Sequence, residues 1–159
     1  MSISKGDSLP KATFTTMGED GPMPMDTDEV FKGKTVVLFA VPGAFTPTCS
    51  AKHLPGFVEH ADDLRAKGVD EIACVSVNDV FVMDAWGKSA GADSVTMLAD
   101  GNGEFAKALG LEMDASGFGM GTRAQRFSLL VEDGKVTQVN VEAPGEFKVS
   151  SAEHLMGQL

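Results

Sequence analysis

The sequence predicts an α/β fold in which a central mixed sheet is flanked by helices. Some segments are rich in β-branched and apolar residues and lack the polar alternation of a half-exposed strand. Segments with helical periodicity lie between them along the chain. Towards the C-terminus, two strand-like segments meet at 133–134, where Asp-Gly is a strong hairpin signal. A chain of 159 residues is large enough to bury a core, and we expect one domain, 1–159.

The predicted elements alternate along the chain. Strand-like segments precede the hairpin at 11–16, 34–40, 71–77 and 94–100. Helical segments lie between or after the strands, at 48–67, 79–91, 102–111 and 150–159. The Gly/Pro/Met-rich connection at 17–26 is expected to hold no regular element, and Pro55 and Gly56 are expected to interrupt the first helix. Ser150 and Glu153 match a capping box at the start of the last helix.

The order of these elements narrows the fold. Right-handed crossovers place the early strands parallel in one sheet, while the hairpin adds an antiparallel edge and the last helix packs back. From residue 34 onward, and without the strand–helix unit at 94–111, the chain has the β-α-β-α-β-β-α order of a thioredoxin-type core. We therefore expect a thioredoxin-like fold with a strand–helix insertion.

Charge and composition limit the partners. The net charge of −10 argues against nucleic acid and anionic membranes, which would repel the chain. No apolar run approaches the roughly 18 residues that span a bilayer. The N-terminal MSISKGDSLP lacks the apolar core of a signal peptide, so a cytoplasmic location is expected. Two cysteines are too few for a disulfide scaffold, and no metal site or cofactor is predicted.

Cys49 occupies a position that favours a reactive thiolate. It is expected in the first turn of the helix after the strand at 34–40, where unpaired N–H groups and the helix dipole favour negative charge. The thiolate is the nucleophilic form of cysteine. A thioredoxin-type oxidoreductase carries Cys-x-x-Cys at this turn, but here Thr46 replaces the first cysteine. The replacement indicates attack by a single thiol on a small substrate instead of dithiol exchange.

These residues carry a resemblance to a known family. Pro42, Thr46 and Cys49 form Pro-x-x-x-Thr-x-x-Cys, the active-site signature of the peroxiredoxins. The longer stretch PGAFTPTCS, with HLPGF behind it, is similar to the peroxiredoxin-5 subfamily, which includes the plant type II enzymes. The resemblance continues in order through GVDEIACVSVNDVFVMDAWGK, LADGNGEF, RFSLLVEDGKV and NVEAPGEFKVSSAEHL.

The resemblance implies a thiol-dependent peroxidase that reduces hydrogen peroxide and small alkyl hydroperoxides to water or alcohol. Cys49 would be the peroxidatic nucleophile and would become a sulfenic acid. Thr46 would hydrogen-bond the peroxide, and Arg126 would stabilise both the thiolate and the leaving oxygen. Pro42 would shield the site from solvent, whereas Arg123, from the same basic cluster, is expected to have a supporting or surface role.

The resemblance also bears on the return to the thiol and on assembly. Some plant type II members use a cysteine at the position of Cys74 to resolve the sulfenic acid, but a buried structural role is favoured here. The C-terminal segment contains no cysteine, so the expected reductant is external: glutathione with glutaredoxin, or thioredoxin. Phe45 and Trp86 fall in regions near the family's dimer interface, so a homodimer is expected.

Two other functions remain open from the sequence. Oxidised Cys49 could pass its oxidation to a partner protein, which would make the chain a redox sensor or relay with the same first chemical step. His53, four residues after Cys49, could instead serve a cysteine hydrolase, although no third orienting residue or oxyanion hole is evident. The glycine-rich segment 116–121 is expected to be a flexible loop.

Overall fold

The computed structural model describes residues 2–159, and its largest element is a seven-stranded sheet. The strands are β1 (Thr13–Gly18), β2 (Gly21–Asp26), β3 (Thr35–Ala40), β4 (Glu71–Ser76), β5 (Thr96–Ala99), β6 (Glu112–Asp114), β7 (Thr122–Ala124), β8 (Phe127–Glu132) and β9 (Lys135–Val141). The α-helices are α1 (Thr27–Phe31), α2 (Leu54–Glu59), α3 (Ala61–Ala66), α4 (Val80–Ser89), α5 (Glu104–Leu109) and α6 (Ala152–Met156).

The strand order confirms the thioredoxin-like architecture. The sheet runs β2-β1-β5-β4-β3-β8-β9, with β3, β4 and β5 parallel and the β8–β9 hairpin antiparallel beside β3. One expectation is wrong, because β1 does not join the parallel strands but pairs antiparallel with β5. A tight turn connects β1 to β2 where a crossover helix would be needed, so the rule that makes successive strands parallel does not apply.

Residues 17–26 form regular structure, contrary to the prediction. β2 pairs antiparallel with β1 over its whole length and is an edge strand. Pro22 and Pro24 are two residues apart, so both ring nitrogens face the same side of the strand. An edge strand tolerates them because one of its sides has no neighbour to receive a hydrogen bond. Asp26 then forms a capping box with Glu29 and begins α1, a short helix that was not predicted.

The helix after β3 was predicted to break at Pro55 and Gly56, but it continues through both residues. The segment Cys49–His53 is a π-helical turn, in which the N–H of Leu54 donates to the carbonyl of Cys49. Pro55 lies in the first turn of α2, a position where its missing N–H costs little. The chain bends instead at His60, between α2 and α3.

The last helix begins one residue later than predicted. Ser151 caps α6 by accepting the N–H of His154, so the capping box at Ser150 and Glu153 is wrong. Ser150 is unavailable as a cap because it is buried and donates its hydroxyl to Glu142.

The hairpin and the glycine-rich segment differ in how well they were predicted. Asp133 and Gly134 have φ of 49° and 77°, the two positive values that a type I′ hairpin turn needs, which confirms the β8–β9 hairpin. The segment 116–121 lies between β6 and β7, which pair as a separate two-stranded sheet, and it contains a 3₁₀ turn at Ser116–Phe118. It is therefore more regular than the predicted loop.

The core lies on both faces of the large sheet. Along β3, Val37 and Phe39 pack on one face, and Val36 and Leu38 pack on the other. The first face is covered by α2, α3, α4 and α6 and contains both cysteines, whereas α1 and α5 cover the second. Among residues 2–159, no helix has the length and apolar character needed to cross a membrane.

Candidate active site

The loop after β3 delivers a hydroxyl to Cys49. At Gly43 a Cβ atom would lie 3.1 Å from Cγ2 of Thr46 and 3.0 Å from the terminal methyl of Met120, so a side chain there would require these two neighbours to shift. Phe45 adopts a left-handed φ of 65°, which is uncommon for a residue with a side chain. The π-helical turn follows, and Cys49 lies at its start with no exposed surface.

Thr46 places its hydroxyl between a sulfur and a carbonyl. Its Oγ1 lies 2.8 Å from Sγ of Cys49 and 2.7 Å from the carbonyl oxygen of Gly43. A hydroxyl has one proton to donate and two lone pairs to accept with. When the sulfur is a thiol, S–H can donate to Oγ1 while the hydroxyl donates to Gly43. When the sulfur is a thiolate, the hydroxyl can turn and donate to it, so Thr46 can follow the charge on Cys49.

Arg126 approaches the same sulfur from the sheet. Because β8 pairs with β3, the start of β8 lies beside the end of β3, and Arg126 immediately precedes β8. Its Nη2 donates to Sγ of Cys49 at 3.0 Å, and its Nη1 donates to Nδ1 of His53 at 2.8 Å. The ring of Phe147 lies 5.9 Å from the guanidinium carbon. A guanidinium is always charged, so this contact places a fixed cation beside the sulfur.

His53 is held as a neutral imidazole. A guanidinium can only donate, so Nδ1 must accept from Arg126, and a carbonyl can only accept, so Nε2 must donate to Ser150 at 2.9 Å. Burial, followed by the charge of Arg126, lowers the pKa of His53 to about 3. His53 therefore acts as an uncharged acceptor that fixes one arm of the guanidinium.

The arrangement needed for a cysteine hydrolase is not formed. Both ring nitrogens of His53 are engaged by other groups, and Arg126 bridges the imidazole and the sulfur of Cys49. His53 has no free nitrogen with which to take a proton from the thiol. The structure therefore contradicts that alternative.

Cys74 lies in β4, opposite Phe39 of β3, and has no exposed surface. Burial, followed by the neighbouring Cys49, raises the pKa of the Cys74 thiol well above its ordinary value, against a smaller lowering by Arg126. A thiol held in its protonated form is a poor nucleophile. Both cysteines are free thiols.

Two further residues singled out in the sequence, Pro42 and Arg123, make no hydrogen bond to the sulfur of Cys49. Pro42 is half-buried in the loop before Thr46. Arg123 does not reach the sulfur, and instead its guanidinium donates to the carbonyls of Met120 at 2.9 Å and Val77 at 2.8 Å. It ties the segment after β6 to the chain that follows β4.

The two aromatic residues singled out in the sequence differ in exposure. Phe45 is 53% exposed, whereas Trp86 is 1% exposed and belongs to the core. The indole N–H of Trp86 donates to Oγ of Ser50 at 3.0 Å, so this side chain braces the helical turn next to Cys49.

Three residues that complete the site were missed in the sequence. Ser150 accepts from His53, Phe147 packs against His53 and Arg126, and Glu142 accepts hydrogen bonds from the segment that carries them. Glu142 leaves a local signal, because it is a lone acidic residue between an alternating strand and an Ala-Pro-Gly turn. Nothing local distinguishes Phe147 and Ser150, whose contacts come from distant parts of the chain.

Comparisons with known proteins agree with this geometry. The model of the family Redoxin matches residues 4–156. The chain is 50% identical to Peroxiredoxin-2B of Arabidopsis thaliana over 159 residues, which cover 99% of this chain and 98% of that protein. It is 53% identical to the chloroplastic Peroxiredoxin-2E-2 of Oryza sativa subsp. japonica, with 99% and 72% covered. Reduced Prx3 of Vibrio vulnificus, solved in complex with H2O2, matches with a TM-score of 0.95 at 54% identity, covering 98% of each chain.

A thioredoxin-like sheet that holds one buried cysteine between a hydroxyl and a guanidinium defines a thiol-dependent enzyme. The matches over nearly the whole chain make the assignment specific. The chain belongs to the Redoxin family and, within it, to the peroxiredoxins, which are thiol-dependent peroxidases. The resemblance carried by Pro42, Thr46 and Cys49 is thereby confirmed at the level of the family.

Proposed function

We propose that Cys49 is the peroxidatic nucleophile of this peroxidase and that hydrogen peroxide and small alkyl hydroperoxides are its substrates. The observation that carries the proposal is the pair of donors on Sγ, from Thr46 at 2.8 Å and Arg126 at 3.0 Å. A neutral thiol is a weak acceptor, so two strong donors directed at one buried sulfur indicate a site built for a thiolate.

The reaction follows from these contacts. The thiolate of Cys49 supplies the electron pair of a new S–O bond while the O–O bond of the peroxide breaks. The sulfur is oxidised to a sulfenic acid, and the leaving oxygen takes one proton to become water or alcohol. Arg126 stabilises the negative charge on that oxygen, and the hydroxyl of Thr46 orients the peroxide. Pro42, which is half-buried in the loop before Thr46, limits the access of water.

An external thiol is proposed to regenerate Cys49. The first thiol displaces water from the sulfenic acid and forms a mixed disulfide, and a second thiol releases Cys49 as an external disulfide forms. Glutathione with glutaredoxin, or thioredoxin, supplies such thiols. The other cysteine of the chain, Cys74, is buried and its pKa is raised, which supports a structural role for it and not a resolving one.

Reaction of the reduced protein with one equivalent of hydrogen peroxide tests this function. Trp86 is the single tryptophan and lies against the residue next to Cys49, so its fluorescence can follow the reaction. We expect fast reaction and a mass gain of one oxygen, loss of both in Cys49→Ser, and retention in the matched control Cys74→Ser. A Cys49→Ser protein that still consumes peroxide rapidly would refute the proposal. In a second experiment with excess peroxide and both reductant systems, consumption of only one equivalent would favour the redox relay.

A homodimer is proposed as the assembly. The exposed ring of Phe45, next to the site, and that of Phe118, which is 85% exposed, support it. Trp86 is buried, so it supports the residues of such an interface without contacting the partner chain itself. Light scattering of the reduced protein tests the assembly, and a monomeric mass would overturn it.

A cytoplasmic location and a single domain, 1–159, are also proposed. Two free cysteines suit a reducing compartment, and cell fractionation against organelle markers tests this location. The large sheet includes strands from both ends of the chain, β1 and β9, which supports one domain. A single cooperative unfolding transition is the expected result.

A further inference from the structure

We propose that Glu142 is a positioning residue for peroxide reduction, holding the guanidinium of Arg126 against the sulfur of Cys49. The inference rests on the function proposed above for Cys49 and Arg126. It adds a carboxylate that makes no hydrogen bond to the sulfur and that acts on it through Ser150, His53 and Arg126.

Glu142 follows β9 and is only 6% exposed, which is unusual for a carboxylate. Its two oxygens accept the backbone N–H groups of Lys148, Val149 and Ser150 at 2.8–2.9 Å and the hydroxyl of Ser150 at 2.6 Å. Burial by itself would raise the pKa of Glu142, but these hydrogen bonds, led by that from the Ser150 hydroxyl, together lower it. The carboxylate therefore closes the 142–150 loop upon itself.

The 142–150 loop supplies two contacts to the site. The carbonyl of Ser150 accepts from Nε2 of His53 at 2.9 Å, and the ring of Phe147 packs 5.1 Å from the imidazole centroid. Ser150 is held in the loop because its N–H and its hydroxyl both donate to Glu142, and its carbonyl faces His53. A shift of the loop end therefore moves the acceptor on which His53 depends.

The direction of the hydrogen bonds makes this dependence specific. Because the carbonyl of Ser150 takes the Nε2 proton, the Nδ1 lone pair of His53 is left to accept from Arg126. With Nη1 fixed there, the planar guanidinium can direct only its other arm to Cys49. A buried imidazole without this carbonyl could adopt the other tautomer, which would present a proton to the guanidinium and push it away.

Glu142 also holds Arg126 by a second route. Its backbone N–H donates to the carbonyl of Arg126 at 3.0 Å, so the same residue fixes the backbone of the arginine and, through the loop, its side chain. The charged and titratable groups along this network are the cation of Arg126, the neutral His53 and Cys49, and Cys74 interacts electrostatically with Cys49 and Arg126. Lys148 contributes only its N–H, because its ammonium lies near Glu146 on the surface.

Glu142→Gln tests the proposal with little change in volume. One oxygen is lost as an acceptor, and the new NH2 group would face backbone N–H donors. We expect the rate constant for hydrogen peroxide to fall roughly tenfold to a hundredfold, as for a slightly misplaced catalytic group. We also expect the midpoint pH for alkylation of Cys49 by iodoacetamide to move upward, because the thiolate loses its aligned cation. Glu146→Gln, on the exposed part of the same loop, is the matched control.

The alkylation profile separates positioning from a role in stability alone. A Glu142→Gln protein that is less stable but keeps the original rate and alkylation midpoint while folded would overturn the proposal. If Glu142→Gln does not fold, Ser150→Ala removes one hydrogen bond to the same carboxylate and should shift both quantities in the same direction by a smaller amount. A folded Ser150→Ala protein identical to the parent in both would also refute it. Activity retained in Cys49→Ser would instead show that the proposed function had failed.

Discussion

Arg126→Lys retains a positive charge beside Cys49 but removes the fork that reaches two partners at once. Arginine donates simultaneously to Sγ of Cys49 and to Nδ1 of His53. A lysine ammonium is a single point donor on a flexible stem and cannot hold both positions. We therefore expect the substitution to weaken transition-state stabilisation and also to leave the imidazole without its donor.

The loss in rate is worked out from the contact at the sulfur, and the loss in stability from the contact at the imidazole. A hydrogen bond from a charged group contributes about 1.5–3 kcal/mol, and each 1.36 kcal/mol changes a rate tenfold, which gives roughly a tenfold to hundredfold loss in the rate constant for peroxide. Because lysine keeps the charge, the lower end of this range is expected. Leaving the buried Nδ1 of His53 unpaired should in addition lower the free energy of unfolding by about 1–3 kcal/mol.

Stopped-flow fluorescence of Trp86 gives the rate constant, and urea unfolding gives the stability. Arg65→Lys is the matched control, because Arg65 also donates twice, to the carbonyls of Asp70 and Ser94, but lies on the surface away from the site. A rate constant for Arg126→Lys within about twofold of the parent would refute the reasoning, since it would mean that only charge matters and not the fork.

Two further predictions concern the hydroxyl and the imidazole. Thr46→Ser keeps a donor at the sulfur and should retain most of the peroxide rate, whereas Thr46→Val should lower it about a hundredfold in the same stopped-flow assay. His53 is neutral when folded, with a pKa of about 3 against 6.5 in the unfolded chain. Protons therefore bind the unfolded chain preferentially, and stability falls as the pH drops from 6.5 towards 3, by up to about 1.4 kcal/mol per pH unit. Urea unfolding at neutral and mildly acidic pH should show a smaller loss in His53→Gln, and an equal loss would contradict the assignment.

The parts of the fold that local chemistry determines were predictable from the sequence. The buried strands β3 and β4 appear as continuous apolar runs, and Asp79 caps α4 by accepting the N–H of Val82. β2 was not predicted because Pro22 and Pro24 exclude a central strand, and only the sheet order places this strand at an edge. The start of α6 was misplaced because the hydroxyl of Ser150 donates to Glu142, a pairing that the helix-capping pattern does not include.

The residues of the site likewise divide into those whose proximity follows from local sequence and those that only the fold brings together. Thr46 and Cys49 are three residues apart, so their proximity follows from one helical turn. Arg126 lies 77 positions after Cys49 and was found only through the family resemblance, because the pairing of β8 with β3 is what places it there. The dependence of Arg126 on His53 required a direction for each hydrogen bond, and a sequence contains no such information.

The burial of Cys49 sets two requirements against each other. Since Cys49 has no exposed surface, a small peroxide needs only a small local movement to reach its sulfur, whereas an external thiol as large as glutathione needs the helical turn to open. π-Helical turns often occur at functional sites, and this one is braced by the hydrogen bond from Trp86 to Ser50. The brace that keeps the turn closed is therefore expected to slow the reduction of oxidised Cys49.

Ser50→Ala separates the two steps, because it removes the brace while leaving the donors of Thr46 and Arg126 on the sulfur. Loss of about 1 kcal/mol from the closed state should make opening, and thus reduction of the sulfenic acid by glutathione, roughly fivefold faster. The rate of attack on peroxide should change little. Intact mass after rapid mixing measures both steps without relying on Trp86, whose surroundings the substitution alters. Unchanged reduction in Ser50→Ala would mean that opening does not limit this step, and that the thiol reaches Cys49 through the closed structure.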